Sequence, residues 1–497
     1  MATPMPKNGL RLTAWDVAAA SGGHVTHVHG EGRVARGVVS DSRAVHRGTA
    51  FFALRGETFD GHEFVRRAAE AGAVLLVIEE GSGSGEPHAD VVKVKDTLAA
   101  WGDVAHAHLR AWRRLRSISE PARTLVITGS AGKTTTKELS SALLAEAGSV
   151  WATPGNLNNL VGLPSVAFAI EPAHRFAVLE AGMNVPGEIA RLASIAEPDV
   201  ALVTNVGVAH AEGVGGTRSH VGWEKGALLA ALATAGTAIA CADDAAALGQ
   251  VTRTRASHVR TFGWSEGATY RLLDRVSRGL GGSRLTIERP CAHCVGPGPR
   301  EIVEIELPLV GEAAAIDFCG ALAAAEAMLG ETLDVERVQA GADRVRHIDG
   351  RADTLELGDG TLVIDDSYNA NPGSMRAAIR TLSDLAAGGT RRTVAVLGEM
   401  KELGSIAEDE HAALGDALAA QHVAIVIGCG GLIDLALKRA KTLGIEVHQT
   451  ASAAEAAKAA VSLVRARDVV LVKGSRSVGA EAVVRALELA RGKKEAP

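Results

Sequence analysis

The sequence is poor in cysteine and aromatics, and it lacks any long apolar run. Five cysteines among 497 residues are too few, and odd in number, for a disulfide framework, so a reducing cytoplasmic setting is expected. Aromatic residues make up 3% of the chain, so aliphatic side chains and alanine must supply the core from a hydrophobic fraction of 47%. No uninterrupted apolar stretch approaches the ~20 residues that a membrane-spanning helix requires. The opening stretch MATPMPKNGLRLTAWDV has no apolar segment of the kind a secretory signal carries. A formal net charge of −6 leaves no basic footprint for a nucleic-acid partner. No short repeat recurs, which excludes a solenoid.

What is present is a recurring alternation of β-rich runs and Ala/Leu/Glu-rich helical patterns, which predicts α/β domains built on mostly parallel sheets. The length calls for more than one core. A first block holds GRVARGVVSDSRAVHRGTAFFALRG, a helical GHEFVRRAAEAG and a strand AVLLVIEE; a basic helix, HLRAWRRLRS, leads out of it. The second block carries strand candidates TLVITG, FAVLEAG, VALVTNVG and TAIACADD, and the third carries TLVIDDS, TVAVLGEM, VAIVIGCGG and VVLVKGSR. The expected domains are 1–110, 111–345 and 346–497. Between SRLTIERP and EIVEIELPL lie Cys291, His293 and Cys294. The flanks alternate apolar and polar residues, and no second ligand pair accompanies the cysteines, so this reads as a hairpin tip rather than a zinc site.

The stretch TLVITGSAGKTTTKEL carries the strongest chemical signal. An apolar run ends at Gly129, a helix begins near Gly132, and Lys133 and Thr134 follow. Glycines let backbone N–H groups turn toward an anion, and a helix N-terminus offers further unpaired N–H groups to the same point. Lys133 then reaches the β- and γ-phosphates of a nucleoside triphosphate, and the Thr134 hydroxyl can ligate Mg²⁺. Ser130, Ala131 and Thr135 complete the ATP-binding loop. Metal ligands belong at the carboxyl ends of neighbouring strands. Glu180 ends one apolar run, and His210 follows another in VTNVGVAHAEG. Taken alone, Glu180 could equally cap a helix and His210 be an ordinary loop histidine.

This loop, together with PGNLNNLVGLP, LEAGMNVPGEIARL, VTNVGVAHAEG and WEKGALL, resembles the Mur ligase family, over nearly the whole chain. Within that family the stretches SDSRAVHRGTAFFALRGETFDGHEF, DDSYNANPGSM, LGEMKELG and VKGSRSVGAE are similar to the branch that adds a dipeptide. The resemblance implies three domains: a small N-terminal α/β substrate domain, a central ATPase domain with a mostly parallel sheet, and a C-terminal Rossmann-like domain. It implies ATP-dependent joining of D-alanyl-D-alanine to UDP-N-acetylmuramoyl-tripeptide through an acyl phosphate, with ATP and Mg²⁺ required and a monomer expected. The alternatives are a family member adding a single amino acid and a non-catalytic nucleotide-binding relative.

By the same resemblance Lys133, Glu180, His210 and Lys225 are catalytic. Thr134, Glu180, His210 and Lys225 serve the metals, Lys225 as a carbamate. Arg351 and Asp366 close over ATP from the third domain, and Asp41, Ser42 and Arg43 face the uridine diphosphate. Asn156, Asn158, Asn159 and Asn369 line the substrate path, and Lys473, Ser475 and Arg476 meet the dipeptide carboxylate, a task suited to the planar guanidinium. One run departs from the family pattern: Ile316 and Asp317 stand in place of a His-Asn pair, and Gly320 in place of a second Asn. Asp317, if ionised, accepts without donating, so it or a nearby backbone carbonyl is expected to hold the adenine amino group and favour ATP over GTP.

Overall fold

The runs TLVIT and VVLVK are buried along their whole length, as strands covered on both faces require. The computed structural model describes residues 3–494 except 30–31, 57–58, 84–87, 118–119, 209–212, 214–215, 292–297 and 387–389. The chain divides into two units, one of residues 1–126, 148–183 and 187–199, the other of 127–147, 184–186 and 200–497.

In the first unit, strands β1 (His24–His27), β2 (Val38–Val39), β3 (Ala50–Phe52), β4 (Leu75–Glu79) and β5 (Asp90–Val94) form a sheet in the order β1-β5-β4-β3-β2, with β1 the one antiparallel member. Helix α1 (Thr97–Arg114) follows. The Asp96 side chain caps it by accepting the Ala99 N–H at 2.9 Å, and Trp101 and Trp112 face inward. Trp101 meets Phe52 and Phe168 edge-on, with ring centroids 5.1 and 4.7 Å away. Strand β6 (Arg123–Thr128) spans the division between the units; β7 (Val150–Ala152) and β8 (Phe176–Glu180) pair in parallel within the first.

The second unit holds two sheets. In one, β9 (Val200–Val203), β10 (Thr237–Cys241), β11 (His258–Gly263) and β12 (Tyr270–Ser277) run parallel, and β13 (Ser283–Pro290) and β14 (Arg300–Leu307) extend it as an antiparallel meander. Burial alternates along β13 and β14, as it must where only one face is covered. The expected hairpin is therefore present. Cys291 is disulfide-bonded, and Cys241, Cys319 and Cys429 are free. His293 and Cys294 lie outside the described residues. Helices α2 (Lys133–Ala145), α3 (Arg218–Ala230) and α4 (Glu312–Leu329) accompany this sheet; α4 is alanine-rich and buried nearly all round.

The other sheet comprises β15 (Asp353–Glu356), β16 (Leu362–Asp366), β17 (Thr393–Leu397), β18 (Ile425–Cys429), β19 (Glu446–Thr450) and β20 (Val469–Lys473), in the order β15-β16-β20-β17-β18-β19. All neighbours are parallel except β15 and β16. Its two faces are separate apolar layers, one including Met375, Ile379 and Leu414 from α5 (Pro372–Leu385) and α6 (Ala407–Ala420), the other Val483 and Leu487. Strand β20 thus lies between β16 and β17, a point where strand order switches and ligands gather at carboxyl ends. No helix among the described residues is long and apolar enough to cross a membrane.

Candidate active site

Strand β6 ends at Thr128, and the next residues turn sharply. Gly129 sits at φ +158°, where a methyl group would collide with the Thr204 hydroxyl; Gly132 sits at φ +80°, where one would collide with the Asp317 carboxyl. Helix α2 then starts without a side-chain cap, which leaves its first N–H groups for the loop's ligand. The loop is held by side chains far away in sequence. Asn205 accepts the Ala131 N–H at 2.9 Å and donates to the Ala131 carbonyl at 3.0 Å. The Asn371 amide donates to the Ser130 carbonyl at 3.1 Å, and the Ser130 hydroxyl accepts the Gly207 N–H at 2.8 Å. Lys133 donates to the Gly129 carbonyl at 2.8 Å, which keeps its ammonium over the loop.

A cavity of about 660 Å³ opens there. Of the residues expected from sequence it brings together Ser130, Ala131, Gly132, Lys133, Thr134, Thr135, Arg351, Asp366, Asn369, Lys473, Ser475 and Arg476. The carboxyl ends of β16 and β20 supply Asp366 and Lys473. Lys473 is buried and donates to the Asp366 carboxylate at 2.6 Å and to the Asn369 carbonyl at 2.9 Å. Burial pushes its pKa down while Asp366 works against that. The ammonium therefore orients Asp366 and Asn369 at the edge of the cavity. Arg351 and Arg476 both lie over the Tyr368 ring, 4.2 and 5.1 Å from its centroid.

Lys225 sits on α3 and is 1% exposed. Burial drives its pKa well down, and the nearby charge of Lys133 adds to that. An uncharged amine is the form that can add carbon dioxide. No acid among the described residues pairs with it. Asp317, on α4, is 7% exposed, and burial raises its pKa well above the usual carboxylate range, against smaller opposing pulls from Thr136 and Arg351. The carboxyl lies against Gly132 in the phosphate loop.

In the first unit, Glu180 ends β8, is 1% exposed, and donates its backbone N–H to the Thr153 hydroxyl at 3.0 Å. Asn156 accepts from the Thr3 hydroxyl at 2.9 Å, and the Asn158 carbonyl accepts the Gly182 N–H at 2.8 Å. Asn159 accepts the N–H groups of Val161 and Gly162, so its side-chain oxygen shapes the turn. Asp41 caps the short helix Ser42–Ala44, and Arg43 forks onto it at 2.7 Å, which lowers the Asp41 pKa. His210 lies outside the described residues. Sequence reading missed Asn205 and Asn371, which act on backbone atoms of a remote loop, and also Lys401 and Glu402, which line the cavity.

The Mur ligase family catalytic domain matches residues 35–108, the Mur ligase middle domain 127–325, and the Mur ligase glutamate ligase domain 350–476. The UDP-N-acetylmuramoyl-tripeptide–D-alanyl-D-alanine ligase of Escherichia coli (strain K12) is 33% identical over 452 residues, 91% of this chain and 93% of that one. The chain belongs to the Mur ligase family. Its mixed α/β architecture of mostly parallel sheets is the three-domain Mur ligase fold. A crystal structure of MurF from Acinetobacter baumannii superposes with a TM-score of 0.83 at 27% identity, covering 96% of this chain and 99% of that one. The MurF ligase from Thermotoga maritima, solved in complex with ADP, has a TM-score of 0.76 at 28% identity, covering 91% and 97%. In this Mur ligase the phosphate loop and the Arg351–Asp366 segment line one cavity.

Proposed function

We propose that this Mur ligase joins D-alanyl-D-alanine to UDP-N-acetylmuramoyl-tripeptide at the expense of ATP, giving the pentapeptide precursor of peptidoglycan with ADP and phosphate. The observation that carries this reading is likeness along almost the full chain to ligases of that name. The terminal carboxylate of the tripeptide attacks the γ-phosphorus of ATP and ADP departs. The dipeptide amine then adds to the acyl carbon, phosphate leaves with the carboxylate's former oxygen, and the amine proton passes to solvent. A carboxylate is a poor electrophile, and phosphorylation supplies its leaving group.

Two anions must meet in the first step. The Lys133 ammonium offsets charge that spreads over the transferring phosphoryl group. Thr134, Glu180, His210 and Lys225 would hold Mg²⁺, which supplies further charge cancellation when bound. A buried Lys225 whose pKa burial pushes down fits that set: as a carbamate it would be an anionic oxygen donor, with Lys133 as its counter-charge. Arg351 and Asp366 meet the nucleotide, Lys473, Ser475 and Arg476 the dipeptide carboxylate, and Asn369 and the Asn156–Asn159 turn the peptide path. Asp41, Ser42 and Arg43 face the uridine diphosphate. The domains run 1–110, 111–345 and 346–497, and the enzyme works in the cytoplasm as a monomer.

Phosphate release measured with UDP-N-acetylmuramoyl-tripeptide, ATP and either D-alanyl-D-alanine or single amino acids tests this. Release that depends on the dipeptide is expected. Release driven by a single amino acid, or none with any acceptor, overturns the reading.

A further inference from the structure

Helix α6 places His411 in the interior with no exposed surface. Its Nε2 accepts the Met400 N–H at 2.9 Å, so the proton sits on Nδ1, which donates to the Ala407 carbonyl at 2.6 Å. Met400 belongs to the loop after β17, and that loop reaches the cavity through Lys401 and Glu402. The same loop clasps Ser475: the Glu399 carbonyl accepts the Ser475 N–H at 3.1 Å, and the Lys401 N–H donates to the Ser475 hydroxyl at 2.9 Å. Glu402 sits at φ +63°, a left-handed conformation that a non-glycine residue keeps only when its surroundings impose it. Met400 and Leu403 are buried on either side of Lys401 and Glu402.

We propose that His411 is a positioning residue: its neutral Nε2 fixes the Met400 backbone and thereby the loop that presents Lys401 and holds Ser475 for the incoming dipeptide. Protonated at both nitrogens, the ring would have no acceptor for the Met400 N–H, which would be left buried and unpaired. Glu399, Lys401 and Glu410 are the charged groups that act on the imidazole. Glu410 is itself held by Arg376 of α5 at 2.6 Å, and from the helix Ile433–Thr442 Arg439 pairs with Asp416 on α6 at 2.6 Å. Burial outweighs the nearby acids and holds the His411 pKa below the ordinary histidine value. The bond is thus intact at neutral pH and is lost only on acidification.

The kinetic part rests on the ligase reading above; the exchange part does not. Michaelis constants for ATP and dipeptide are measured between about pH 5 and 8 for the wild type, His411→Gln and His411→Leu, with hydrogen exchange of the peptide containing Met400 followed by mass spectrometry. Gln retains an acceptor but does not titrate. The wild type should show a dipeptide KM that climbs toward acid pH. His411→Gln should stay within about threefold of the wild-type value at pH 8 and be flat with pH. His411→Leu should raise that KM roughly tenfold at every pH, alter the ATP value less, and speed exchange at Met400. If the leucine variant fails to fold, the pH profile of His411→Gln alone decides. An acid limb retained in His411→Gln, or wild-type KM and exchange in His411→Leu, overturns the proposal. A wild type that ligates no acceptor sinks the ligase reading instead, and the exchange comparison still judges His411.

Discussion

Lys133 and Lys225 are two amines in one field, and their surroundings give them opposite tasks. Lys133 is held over the phosphate loop by the Gly129 carbonyl; Lys225 is buried, and burial together with the nearby Lys133 pushes its pKa well down. Lys133→Ala should retain the fold and lose nearly all phosphate release, since it removes charge needed most in the transition state. A purified variant with normal turnover would remove Lys133 from the chemistry. Lys225→Ala should be almost inactive and partly recover with added short carboxylates, which replace the carbamate oxygens; absence of rescue would point to a packing role. Asp317 has a folded-state pKa above its unfolded one, so the folded protein holds the extra proton and stability falls as pH rises past the unfolded value. Asp317→Asn should therefore melt higher than wild type at pH 8, with a smaller gap near pH 5.5, as read by thermal unfolding. Lys133 was legible because a Gly-Lys-Thr after an apolar run has few other uses. Asn205 and Asn371 were not, because they grip backbone atoms 74 and 241 positions away, and no local pattern reports such a partner.

At the scale of elements, β6, its loop and α2 form the unit on which the site depends. Asn205→Ala would leave both polar atoms of Ala131 without that partner, at a cost of about 1–3 kcal/mol. The expected result is a raised KM for ATP with the dipeptide value nearly unchanged; equal shifts in both would assign Asn205 to general stability. The buried parallel strands were readable because their apolar runs are continuous and bounded by glycine or acid. The edge strands β1 and β19 were not: HVTH and EVHQT are largely polar and solvent-facing, and hydrogen bonding to a neighbour, not apolar pattern, makes them strands. Nor could the position of β20 be read, since crossover connections set strand order.

For the whole molecule, the cavity draws on segments from Ser130 to Ser477, with Arg351 and Arg476 among its lining. ATP contacts shared in this way call for closure that excludes water from the acyl phosphate. Small-angle scattering should register compaction with a non-hydrolysable ATP analogue plus both substrates; an unchanged radius of gyration would count against closure.

The place of β20 between β16 and β17 has a consequence for biosynthesis. While the ribosome is still short of Val469, the chain has made both halves of that sheet but not the strand that joins them. Two apolar strand edges then wait side by side, open to each other and to neighbouring nascent chains. A chain cut before Val469 should be insoluble although five of six strands are present. Translation speed over the last stretch, and any chaperone that shields those edges, would then decide how much of each synthesis round ends as working enzyme.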